Sequence, residues 1–146
     1  MKKKHAFTLI ELLIAVSILS LFFVLAISVT IVSLKNMKIK EHKILATYYA
    51  EEAKEWLTHL KENDWIQFKN KVNNSYCFNN LPNDYNWIVE DQNNCQFSID
   101  NFYKRLVLVS SDVIETQLNV KITVWWQENN RDYKVDLPLI FTVWEK

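Results

Sequence analysis

Between Glu11 and Lys35 the chain runs for 23 residues, Leu12 to Leu34, without a charge, and sixteen of them are Leu, Ile, Val or Phe. Such a run predicts a helix about 34 Å long, enough to cross a hydrocarbon core. Its side chains favour insertion by roughly 5–10 kcal/mol. Beyond it the pattern becomes amphipathic. Leu45, Tyr49, Ala53, Trp56 and Leu60 recur every three or four residues, and Glu51, Glu52, Lys54 and Glu55 are expected to face outward. No proline interrupts Phe7 to Glu62, so one helix is expected through both patterns, ending at Asn63-Asp64.

The period changes near the C-terminus. Tyr133, Val135, Leu137, Leu139, Phe141 and Val143 alternate with Lys134, Asp136, Pro138, Ile140, Thr142 and Trp144, which predicts a strand. Lys104 to Ser110 and Lys121 to Trp126 supply two more strand signals, with Asn129-Asn130 as the tight turn between the last two. Pro138 cannot donate to a ladder, so its strand is an edge there or carries a bulge. Residues from about Trp65 to Asn101 read as a loop-rich connection with short pieces of structure. The expected class is α+β, a long N-terminal helix on a small C-terminal antiparallel sheet.

Composition sharpens this picture at a few points. The chain has 146 residues, room for one domain and an anchor, and no glycine, so its turns rest on Asn, Asp and Pro. Seventeen basic and 17 acidic residues balance, but unevenly along the chain. Lys2, Lys3 and Lys4 lead the sequence, and from Asn63 onward there are 8 Lys/Arg against 11 Asp/Glu. That mildly acidic part argues against a nucleic-acid partner, because phosphate contacts need cations. The apolar run has two other readings, a buried soluble helix and a cleaved secretory signal ending near Val24-Leu25-Ala26. A 146-residue chain could hardly surround the first, and Glu11 at the head of the run has no use in the second. Lys35, Lys38, Lys40 and Lys43 flank the far end, so basic residues alone do not set the orientation.

The stretch Lys2-Lys3-Lys4-His5-Ala6-Phe7-Thr8-Leu9-Ile10-Glu11-Leu12-Leu13-Ile14-Ala15-Val16 closely resembles the class III signal of type IV prepilins. The resemblance covers about the first 30 residues. It implies a pilin-like fold and a division into a leader peptide (1–6), a transmembrane and filament-core helix (7–34), its amphipathic continuation (35–62) and a globular loop-plus-sheet domain (63–146). It also implies that prepilin peptidase cuts between Ala6 and Phe7, that the new amine on Phe7 is methylated, and that Glu11 pairs with the Phe7 ammonium of a neighbouring subunit. Ala6 stands where the family prefers glycine, and Ser20 and Ser28 stand near places where major pilins often carry helix breakers. Alanine is small enough for the cut, and the missing helix breakers point to a minor pilin or pseudopilin of a type IV pilus, competence pilus or type II secretion pseudopilus. The segment Ala50-Glu51-Glu52-Ala53-Lys54-Glu55-Trp56-Leu57 is likewise similar to PilV-like minor pilins. The implied partners are other pilin subunits, prepilin peptidase, an inner-membrane assembly platform and membrane lipid, with the C-terminal domain outside the cytoplasm. The alternative is a membrane-tethered binding domain, adhesive or DNA-capturing, that does not polymerise.

Cys77 and Cys95 are the only cysteines, and outside the cytoplasm they are expected to bridge. Zinc needs further ligands than these two supply, and His42 and His59 fall on the helix, so no metal or other cofactor is expected. No phosphate loop, nucleophile elbow or His-x-x-x-His pair suggests catalysis. Glu90, Asp91, Asp112 and Glu115 read as solvated surface, and Trp125 with Trp144 as a candidate aromatic patch for a sugar or a protein.

Overall fold

The computed structural model describes residues 8–82, 84–90, 93–111 and 117–142. The chain divides into two compact units, Met1–Lys40 and Glu41–Lys146. Helix α1 spans Leu9–Asn63, and its apolar part is long enough to cross a membrane. In the first unit the large side chains of this helix, from Leu9 to Met37, point outward all around. Four of its hydroxyls bond within the helix. The hydroxyls of Ser17, Ser20 and Ser28 each donate to the carbonyl four residues back at 2.8 Å, and that of Thr30 does so at 2.9 Å. In apolar surroundings such bonds matter, because an unmet hydroxyl there has no water to turn to.

The second unit has a core of its own. Helix α2 (Trp65–Lys69) follows α1 at once, with Asp64 capping it through Gln67 N at 3.0 Å. Strands β1 (Asn74–Cys77), β2 (Tyr103–Ser111), β3 (Gln117–Glu128) and β4 (Arg131–Thr142) form one antiparallel sheet in that order. The three strands expected from sequence are present, each beginning earlier than expected, and Val143 and Trp144 of the last lie outside the described residues. β1 was hidden in the stretch expected to be loop-rich, because its Asn-Ser-Tyr-Cys has no apolar alternation. The β3–β4 turn is Asn129-Asn130, both at positive φ (52° and 58°), the pair a type I′ hairpin requires. In such a hairpin the flanking pair Glu128–Arg131 shares hydrogen bonds and the pairs beyond alternate. Pro138, opposite Lys121, then falls at a position whose N–H side faces the open edge. The register runs through it without a bulge.

One face of the sheet carries Val107, Val109, Leu118, Val120, Ile122, Val124 and Trp126, all buried. Against it lies the 41–63 part of α1. The expected stripe needs correction: the buried positions are Ala46, Ala50, Ala53, Leu57 and Leu60, whereas Leu45 is 39% exposed and Tyr49 and Trp56 sit at the margins. Small residues occupy three of these five buried positions, and the large rings pack against the flanks. Trp87 holds the loop-rich stretch to this core, with Trp56, Phe68, Tyr76 and Phe78 at ring-centre distances of 5.0 to 6.0 Å. Each such pair adds roughly 0.5–1.5 kcal/mol beyond area burial. Tyr85 donates to Leu60 O at 2.5 Å, and Trp56 Nε1 donates to Pro82 O at 2.7 Å. A segment poor in secondary structure is in this way tied to the end of the helix.

Candidate functional site

At the head of the apolar helix, Thr8 and Glu11 form a reciprocal cap. The Thr8 backbone N–H donates to Glu11 Oε2 at 3.0 Å and the Thr8 hydroxyl to the same oxygen at 3.1 Å. Thr8 Oγ1 in turn accepts the Glu11 N–H at 3.4 Å. The spacing Thr8-Leu9-Ile10-Glu11 is that of a capping box, in which two orphan donors of the helix N-terminus are satisfied at once. The Glu11 carboxylate is folded back over its own first turn, where the helix dipole also favours negative charge. Of the other residues assigned to processing, Ala6 and Phe7 lie outside the described residues, as do Lys2, Lys3 and Lys4. Thr8 was not singled out in the sequence as a partner of Glu11, although the Thr-x-x-Glu spacing was the available signal.

Cys77 and Cys95 are joined by a disulfide that ties β1 to the loop before β2. Beside it is a residue the sequence did not flag, Arg105 on β2, only 2% exposed. Its Nε donates to Phe78 O at 2.7 Å, and its Nη1 donates to Tyr49 O at 2.7 Å and to Glu52 Oε2 at 2.8 Å. Its backbone bonds with Phe78 N and Asn79 Oδ1, and Asn79 reaches on to Gln96 O at 2.8 Å. One guanidinium thereby joins the helix, the sheet and the segment after β1. Burial pulls its pKa down, opposed by the hydrogen bond and charge of Glu52. The only sequence signal was a cation in the apolar alternation of β2.

Two further contacts hold the N-terminal end of the helix segment 41–63 to residues at and just before the start of β2. His42 Nδ1 and the Tyr103 hydroxyl lie 2.8 Å apart, and the imidazole stacks on Phe102 at 4.5 Å. The Tyr49 hydroxyl donates to Asp100, and that bond, then burial and the Asp100 charge, push the phenol up to about 12. On the outer face of the sheet, Asp136 accepts from Thr123 at 2.8 Å and pairs with Lys134 and Lys121 at 3.3 and 3.5 Å. Burial alone would raise this carboxyl, but the Thr123 hydrogen bond and the two lysines together bring it below its ordinary value.

Trp125 is half-buried, with Lys104 Nζ 5.7 Å from its ring centre and 4.8 Å from that of Phe97, and Trp144 lies outside the described residues. Glu90 bonds Ser75 through its backbone, while Asp91, Asp112 and Glu115 lie outside the described residues. His42 and His59 are both on α1, and among the described residues no three His, Cys, Asp or Glu side chains group to hold a metal. The chemistry concentrated here is that of holding surfaces together.

No curated protein and no solved structure matches the chain. The layout, a long N-terminal helix on a four-stranded antiparallel sheet, is pilin-like. Residues 1–27 match the family model described as the prokaryotic N-terminal methylation motif, the signature that type IV pilins carry.

Proposed function

We propose that the chain is a minor pilin or pseudopilin, a structural subunit and not an enzyme. On this reading residues 1–6 are removed by prepilin peptidase between Ala6 and Phe7, and the Phe7 amine is methylated. Residues 7–34 then serve as membrane anchor and afterwards as filament core, with 35–62 continuing the helix and 63–146 forming the globular part. The single observation that supports this most is Glu11, a carboxylate at the head of an otherwise uncharged 23-residue run, in register with the methylation motif. An isolated carboxylate in apolar surroundings is costly, and so is a buried amine. Setting the Phe7 ammonium of one subunit against Glu11 of the next lowers both costs and sets the axial register between copies. The disulfide supports a globular part outside the cytoplasm, where such bonds persist.

The test is mass spectrometry of the mature chain from cells that assemble such filaments. An N-terminus at Phe7 with one added methyl group is expected, and an intact Met1 defeats the proposal. Replacing Glu11→Ala should leave cleavage intact and abolish incorporation into filaments. Incorporation at the wild-type level would make the chain a non-polymerising tether.

A further inference from the structure

We infer that Thr8 is a positioning residue for Glu11, holding the carboxylate while the subunit is alone in the bilayer and presenting it for assembly. The inference rests on the proposed role of Glu11 and adds a residue to it. Both bonds from Thr8 end on a single oxygen, Oε2. Oε1 takes neither of them and is the oxygen left for a second donor. A carboxylate bonded in this way keeps a fixed rotamer and a fixed direction, back over the N-terminal turn instead of sideways into lipid. Its entropy of positioning is therefore largely lost before any neighbour arrives.

Two consequences follow from the chemistry. Before assembly, the Thr8 N–H and hydroxyl supply the hydrogen bonds that a carboxylate flanked by Leu9, Ile10, Leu12 and Leu13 would otherwise lack. At assembly, an incoming ammonium meets Oε1 without first breaking the Thr8 bonds, so the handover needs no exposed, unbonded intermediate. The threonine hydroxyl is the separable part. Thr8→Val keeps the shape and the backbone donor but removes the side-chain donor and the acceptor for Glu11 N, whereas Thr8→Ser keeps both.

The experiment uses the full chain in cells with an active prepilin peptidase and filament, and the purified chain in lipid bilayers. In bilayers, the ¹³Cδ resonance of Glu11 should move in Thr8→Val and stay at its wild-type position in Thr8→Ser. In cells, the ratio of filament to membrane subunit should fall about fivefold in Thr8→Val, the typical effect of losing one capping side chain, and recover in Thr8→Ser. An unmoved Glu11 resonance in Thr8→Val overturns the inference, because a helix cap acting apart from the carboxylate would leave it there. A moved resonance with wild-type incorporation overturns it as well, since the positioning would then serve nothing. A chain never cut at Phe7, or a Glu11→Ala variant that assembles, removes the underlying reading of Glu11 instead. The two failures are thus distinguishable.

Discussion

Residues 9–40 and residues 41–63 belong to one helical element, yet they use their side chains in opposite ways. In the first stretch apolar side chains cover every face and are exposed from Leu9 to Met37. In the second, the buried apolar face narrows to Ala46, Ala50, Ala53, Leu57 and Leu60, and charged residues such as Glu51, Glu52, Lys54 and Glu55 share the other faces with Ile44, Tyr48 and the marginal rings. An all-round apolar helix is suited to lipid or to other helices like itself, whereas a striped helix is completed by its own chain. The contrast teaches that helicity alone says little about stability. The first stretch draws its stability from surroundings, and the second from a sheet, a disulfide and the hydrogen bonds of the buried Arg105.

Substitutions that affect one stretch and not the other would sharpen or break that contrast. All six tryptophans lie at Trp56 or later, so their emission during denaturation of the full chain in detergent micelles reports the second unit alone. Arg105→Met should have the largest effect, roughly 3–5 kcal/mol, because Tyr49 O and Phe78 O lose a buried charged donor. Glu52, half exposed, regains water and adds little to that loss. Reduction of Cys77–Cys95 comes next, at about 3 kcal/mol for a sequence separation of 18, read as a lower denaturant midpoint with reductant present. Ala50→Leu should cost about 1–3 kcal/mol by overpacking the helix against the sheet, while Ala26→Leu in the exposed stretch leaves the same transition unmoved. An equal loss from both alanines would erase the distinction between the two stretches.

The smallest effect is one of pH. The carboxyl of Asp136 is lower in the folded protein than its ordinary 3.8, so its contribution is present above that value and is lost as the pH falls through the folded pKa. Wild type should exceed Asp136→Asn by under about 1 kcal/mol at neutral pH, and the gap should close in acid. At the other extreme, the raised Tyr49 phenol stabilises the fold fully below pH 10 and loses that contribution as the pH climbs toward about 12.

The elements with a strong period were legible in the sequence, and those stabilised by long-range contacts were not. Alternation along β4 and the Asn129-Asn130 turn are local facts, and the strand and hairpin follow from them directly. The helical stripe was legible in its period but misplaced in its phase. Large residues such as Leu45 and Tyr49 suggested the centre, whereas the fully buried positions are the neighbouring Ala46 and Ala50, whose small side chains carry little hydrophobic signal. β1 escaped because its order comes from pairing with Leu106 to Val109, far along the chain. Arg105 escaped for the same reason: its acceptors, Tyr49 O and Phe78 O, are backbone atoms from distant segments. At the N-terminus the Glu11 register was plain, and its partner Thr8 stood three residues away in a recognisable spacing.

The proline on β4 has a consequence for crowded surfaces. A strand edge with no donor at Pro138, flanked by Lys134 and Asp136, makes a poor template: a foreign strand laid along it would miss a bond and bury charge. On the proposed reading, many copies gathered side by side by their apolar helices would therefore keep their sheets from fusing into fibrous aggregates. Crowding is steered away from backbone-to-backbone growth by a single missing N–H.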